Sequence, residues 1–440
     1  MDENIQKCAS SKSYYIKEKE DEAHNKYNVF CVNKNISLSK KMLKEMEKYN
    51  YVKFNYKFNR LVDNLPSNIQ YIKFGNHFSM PVDNLPYNLK ELHFGEYFNE
   101  PVDNLPKGLK VISFGNIFSQ SLTNLPLGLE SITFADKFNK QIDYLPEGLI
   151  SLTFGGDFNQ PICHILPSGL QNLTFGIIFN QPVDNLPTGL KSLDFAGKYM
   201  AGQFNQPVDN LPTFNPSQGK NGLQNLIFGN NFNQPVDNLP SGLQNLDFGV
   251  YFNKPVDNLP KELKSIKFGN YFNKSVDNLP KGLQELKFGL LFNQPVDNLP
   301  TGLLNLSFDC YFEHPVDNLP TGLKKLTFGN RFNQLIDNLP SGLQDLTLGD
   351  SFNQPVNNLP LGLQNLTFDR WFNQPICDNL PSGLKNLTFG YHFNQPLDNL
   401  PSFNPEKGEK GLQSLTLSET YNKPLNNLPT SVKIIRIKYY

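Results

Sequence analysis

Histidine, cysteine and aspartate are the side chains of this sequence that could carry chemistry, and their spacing decides whether they do. The six histidines stand at positions 24, 77, 93, 164, 314 and 392. None has a partner at metal-ligand spacing. The five cysteines, at 8, 31, 163, 310 and 377, are odd in number and form no CxxC pair, which argues against a disulfide framework or a zinc knuckle. Neither a GxGxxG following a strand nor a phosphate-binding loop occurs. Aspartates recur in step at Asp63, Asp83, Asp103, Asp257, Asp277, Asp297 and Asp317. One carboxylate per period falls well short of the about six to eight oxygens that calcium takes. The expectation is a protein without catalytic residues, metal or cofactor.

Those aspartates lead to the element that positions them. The nine residues FNQPVDNLP occur letter for letter at 179–187, 204–212, 232–240 and 292–300. The dipeptide Leu-Pro occurs in eighteen copies, from Leu65 to Leu428, mostly twenty residues apart. The unit reads G-L-x-x-L-x-F-G-x-x-F-N-Q-P-V-D-N-L-P-x. Of the 36 phenylalanines, all but Phe30, Phe214 and Phe403 sit in its two Phe columns. A fixed period of this length marks a solenoid or array. Insertions break the beat at Cys163 and Cys377, around Ala196–Gln203, and in TFNPSQGK (213–220) and SFNPEKGE (402–409).

Proline has no N–H and is kept out of central strands, so the strand must be the proline-free L-x-x-L-x-F segment. There Leu226 and Phe228 alternate with Asn225 and Ile227, the period of a short strand. The expected fold is a mainly β repeat solenoid. About eighteen short coils form one parallel sheet, and turns or 3₁₀ pieces return the chain. Leu223, Leu226, Phe228, Phe232, Val236 and Leu239 are expected to point inward, each coil burying them against its neighbours. The Asn column (Asn159, Asn233, Asn253, Asn293, Asn353, Asn373) is expected to form a buried ladder. The Gly column (Gly229, Gly249, Gly269) should end the strand with positive φ. Asp237 and Asn238 read as Asx-turn residues bonding their own backbone.

These motifs, F-N-Q-P within L-x-x-L-x-F-G-x-x-F-N-x-P-[VI]-D-N-L-P, resemble the FNIP repeat over roughly residues 52–437. That family is leucine-rich-repeat-like and is associated with social amoebae and the large DNA viruses that infect amoebae. The resemblance implies a repeat solenoid acting in protein–protein interaction and carries over no catalytic residue. It also raises an F-box, which recruits a ubiquitin-ligase adaptor and opens many viral members. Residues 1–50 lack an L-P-x-E-L-like opening and are too short and polar for one. The first 27 or so residues, with the polar and charged run SKSYYIKEKEDEAHNKY (11–27), are expected to be unstructured. Residues 37–50 read as a short helix capped by Ser37 or Ser39, with Met42, Leu43 and Met46 as its apolar stripe. The expected division is therefore a partly disordered N-terminal segment with a capping helix over 1–50, and the solenoid over 51–440. A degenerate F-box-like N-terminus is the alternative.

Composition narrows the partner. Forty basic residues face 41 acidic ones, scattered in both signs, which argues against a nucleic-acid footprint or a membrane surface. No apolar run is long enough to span a bilayer, so the expected location is the cytoplasm, that of the host if the protein is viral. Function in a solenoid lies where the repeats differ. The two residues between Gly and the second Phe change in every unit and should line one rim of the sheet. They include Val250-Tyr251, Asn270-Tyr271, Leu290-Leu291, Cys310-Tyr311 and Arg370-Trp371. On the sheet face a Thr column is interrupted by Asp194, Ile227, Asp247, Lys267 and Lys287. Candidate partner-binding residues are thus Asp194, Asp247, Val250, Tyr251, Lys267, Tyr271, Lys287, Leu290, Leu291, Tyr311 and Trp371. The expected function is a non-enzymatic scaffold binding a host or cellular protein. The alternatives are a ubiquitin-ligase substrate adaptor and a structural rod. A bare Thr ladder also suits ice, but Thr equally suits any exposed strand.

Overall fold

Alternating Leu and Phe do what their period dictates. In a computed structural model, residues 13–20, 26–197, 201–213, 222–376, 380–397, 400, 411–425, 428 and 432–438 are described. The chain forms two compact units, Met1–Phe204 and Asn205–Tyr440. In each, one short strand per repeat lies parallel to the next in register. Asn245–Asp247, for example, pairs with Asn225–Ile227 on one side and Ser265–Lys267 on the other. Most strands are three residues long, because only the middle residue and the Phe after it enter the core. Leu226 and Phe228 are buried, as are Leu223, Phe232, Val236 and Leu239.

The two Phe columns form the spine of the core. Within a coil Phe228 and Phe232 stack at 3.6 Å. Between coils Phe228 meets Phe248 at 5.9 Å and Phe232 meets Phe252 at 6.1 Å, rings nearly parallel. Stacked aromatic pairs add about 0.5–1.5 kcal/mol beyond area burial, so each coil is held chiefly by its neighbours. The Leu-Pro segments turn rather than pair: the Leu243 N–H donates to the Pro240 carbonyl at 3.2 Å. The extra residue at Cys163 is taken up in a 3₁₀ turn, Cys163–Ile165. Residues 214–221, 377–379 and 401–410, which hold most of the remaining insertions, lie outside the described residues.

Three local expectations are corrected. The column glycines do not adopt positive φ; among the described residues the positive-φ glycines are Gly197, Gly222 and Gly411, all beside insertions. The column needs glycine for close approach instead: a Cβ on Gly249 would stand 1.8 Å from the Gly229 carbonyl oxygen. The Asn ladder exists, with the Asn233 side-chain oxygen accepting the Asn253 N–H at 2.9 Å, yet it is half-buried at the surface. Its work is to satisfy backbone donors that proline-rich turns leave without a ladder partner. The Asp-Asn pair joins adjacent coils: the Asn258 amide donates to the Asp237 carboxylate at 3.0 Å, and Asn278 to Asp257 at 2.9 Å.

The polar stretch 11–27 was expected to lack structure. Instead β1 (Tyr14–Glu20) pairs antiparallel with β2 (Lys26–Val32), which lies parallel to β3 (Tyr51–Phe54). The reason is a period-two alternation inside the charged run: the Tyr14 ring stacks on buried Phe30 at 4.7 Å, while Tyr15 is exposed on the other face. Helix α1 (Lys40–Met46) follows, its N-cap Ser39 accepting the Met42 N–H, with Met42 and Met46 buried and Leu43 half-buried. Residues 1–12 lie outside the described residues.

Candidate interaction surface

The strand ends where the close-packed Gly column forces a turn, and the two residues after it are thrown onto the rim. Their backbones step from coil to coil. In the second unit the N–H of Tyr251 donates to Asn230, that of Tyr271 to Val250, Leu291 to Asn270, Tyr311 to Leu290 and Arg331 to Cys310, at 2.8–3.1 Å. Side chains 251, 271, 291, 311 and 331 therefore form one file, about 4.8 Å per step. Tyr251 and Tyr271 are 49% and 48% exposed, with ring centroids 5.0 Å apart. Val250, Leu290, Leu291 and Tyr311 are half-buried.

Sequence reasoning missed Arg331, the residue that follows Tyr311 in this file. The Arg331 guanidinium lies 4.0 Å over the Tyr311 ring, and its Nη1 is 3.9 Å from Glu313. The signal was its place, one period after Tyr311. A guanidinium over an aromatic face holds both in a fixed pose.

The sheet-face residues behave less uniformly. Lys267 pairs with Asp247 across adjacent strands at 2.7 Å, so their charges cancel locally. Lys287, one strand further, is exposed. Asp194 belongs to the first unit, and its carboxylate accepts the N–H groups of Ala196 and Gly197 at 2.7 and 3.1 Å. It holds a turn of the first unit. Trp371 stands further along the second unit, 52% exposed, with His392 stacked on it at 3.9 Å and Tyr391 edge-on to His392. Nearby, burial and then the Asp350 carboxylate raise the pKa of Asp369.

His93 and His314 have polar partners. His93 contacts Ser113 Oγ at 2.7 Å, and its pKa is lowered by burial against the opposing pull of Glu91. His314 Nε2 contacts the Asn293 carbonyl at 3.2 Å. His24 lies outside the described residues. Among the described residues, no three His, Cys, Asp or Glu side chains are placed to hold a metal ion, and no helix is long and apolar enough to cross a membrane.

Comparison with known proteins agrees with this architecture. The FNIP repeat model matches residues 78–117, 118–157, 142–177, 158–198, 235–271, 252–291, 332–370 and 372–403, more than half of the chain. Among solved structures, the giant-virus protein CroV588, described as a novel circular LRR protein, superposes with a TM-score of 0.70 at 34% identity, covering 93% of this chain and 72% of that one. YopM from Yersinia enterocolitica WA-314 aligns at 18% identity with a TM-score of 0.39, over 90% of this chain and 93% of its own. No curated protein matches. On its repeated motif and its one-third-identical relative of like fold, this chain belongs to the FNIP repeat family.

Proposed function

We propose that this protein is a non-enzymatic scaffold that binds a protein partner through the rim of its second unit. The observation that carries the reading is the exposed Tyr251–Tyr271 pair, continued by Leu291, Tyr311 and Arg331 in one file. Tyr, Trp and Arg are the residue types that most often carry binding energy at interfaces, and apolar surface in a continuous strip is where solvent exclusion is gained. The core columns repeat almost without change, so they can define shape but not a particular partner. Lys287, exposed on the sheet face beside the file, would favour an acidic group at the edge of the contact. Leucine-rich-repeat-like solenoids are in general protein-interaction folds.

The N-terminal hairpin and helix act in this reading as the cap of the first coil, since every solenoid must cover its terminal core. Val29, Phe30, Met42 and Met46 are buried in that role. The test is capture of partners from amoebal lysate by the full chain and by Tyr251→Ala/Tyr271→Ala/Tyr311→Ala, read by mass spectrometry. Partners held by the first and lost by the second support the rim. Partners that are ligase subunits and are held equally by both favour the adaptor alternative, and no reproducible partner favours a structural rod.

A further inference from the structure

The outer sheet face of the first unit carries a second feature, distinct in charge from the rim. Lys17 and Lys19 lie on one face of β1, alternate residues about 6.8 Å apart. On the same face Lys53 of β3 is paired in register with Lys73 of the next strand, Tyr71–Lys73, and with Cys31 of β2. The register places Lys17 opposite Val29 and Lys19 opposite Tyr27 of β2, on the face that also holds Cys31 and its partner Lys53. None of the four lysines is in an ion pair with a described residue. Elsewhere in this unit cross-coil lysines are neutralised, Lys110 by Glu130 and Lys137 by Asp157. Like charges placed opposite each other on adjacent strands destabilise a sheet, and here the sequence keeps them.

Beside the lysines runs a column of phenols. Tyr27 stacks on Tyr51 at 6.0 Å and Tyr51 on Tyr71 at 5.8 Å, and Lys19 Nζ sits 6.0 Å from the Tyr51 ring. Exposed Tyr15 lies opposite Cys31 on β1. The phenol hydroxyls are donors, and the ammoniums are donors with charge. We propose that this face docks an acidic polypeptide segment, one presenting several Asp or Glu side chains along a short length. Two observations choose that occupant over other polyanions. The tyrosine rings lie face to face against one another, so they offer edges and hydroxyls rather than the open faces on which nucleic-acid bases stack. The face is also narrow and bounded by Glu91 on the next strand, a width that suits a single chain rather than an anionic bilayer.

The test uses the full chain and a short fluorescent oligoglutamate as probe, read by anisotropy at low ionic strength. Binding is expected, weakened at least about tenfold by Lys53→Glu/Lys73→Glu, a change of about 1.4 kcal/mol. It should be unaltered by Lys140→Glu, an exposed lysine of the same unit outside this face. Circular dichroism of the double variant should match the parent, since the changes are at exposed positions. The proposal is overturned if oligoglutamate does not bind, if it binds both charge variants equally, or if oligothymidylate or phosphatidylserine vesicles bind this face more tightly. Because the probe and variants leave the Tyr file untouched, this result is separable from that of the rim.

Discussion

The Asn258 side-chain amide donates to the Asp237 carboxylate at 3.0 Å, twenty-one residues back along the chain. The two residue types are neighbours in most repeats, yet they bond across repeats. The same link recurs at Asn298–Asp277, Asn318–Asp297 and Asn338–Asp317, at 3.0–3.1 Å. A polar file of this kind pins the register of coils whose apolar columns are nearly identical and could otherwise slip.

The link can be measured by a double-mutant cycle on Asn258→Ala and Asp237→Ala. Both groups are exposed, so each single change should cost under about 1 kcal/mol in denaturant unfolding, with a coupling of about 0.5 kcal/mol between them. Additive effects would show that the bond contributes nothing to stability.

Asp277 accepts from Ser275 Oγ at 2.7 Å as well as from Asn298, and these bonds, Ser275 first, hold its carboxyl below the usual carboxylate range. A depressed folded value means that the contribution is present above the unfolded carboxylate pKa and is lost as pH falls through the folded one. An NMR titration should therefore find Asp277 ionising below the usual carboxylate range. In Ser275→Ala its midpoint should rise.

Gly249 faces the Gly229 carbonyl so closely that an added Cβ must displace backbone. Gly249→Ala should cost about 1–3 kcal/mol by overpacking. Gly282→Ala, whose Cβ would meet the Lys264 Nζ at 3.4 Å and the Lys261 carbonyl oxygen at 3.6 Å, should cost less. Ala135 and Ala196 hold the same column elsewhere, so the local backbone can yield there. Equal stability of the two variants would remove close approach as the reason for the glycine column.

Phe252 is buried between Phe232 and Phe272 at 6.1 and 6.0 Å. Phe252→Ala should cost about 3–5 kcal/mol. Because coils are stabilised by their nearest neighbours, hydrogen exchange should quicken most in the coils on either side.

The fold was readable because the proline columns left one segment able to pair and the Leu-x-Phe alternation set which side chains it buries. What escaped was the third dimension of the period. Asp237 and Asn238 carry a strong local turn signature, and nothing in a single repeat says that residues twenty-one apart are within bonding distance until the coil length is known. Gly249 looked like a conformational glycine for the same reason: its constraint is the carbonyl of another coil. In the N-terminal segment, the charged composition of 11–27 outweighed the alternation of Tyr14, Ile16 and their neighbours. Of the candidate surface, the variability of the rim marked Tyr251, Tyr271 and Tyr311. It did not reveal that Asp194 is occupied by its own turn or that Lys267 is neutralised by Asp247.

The central claim is that repeated columns build the core while the variable file on the rim recognises a partner. The most direct test is the dissociation constant of a partner captured by the full chain, measured against the parent and Tyr251→Ala/Tyr271→Ala/Tyr311→Ala. The expected result is a loss of at least about tenfold, with the unfolding midpoint scarcely moved. Unchanged affinity at unchanged stability would contradict it and place recognition elsewhere on the solenoid.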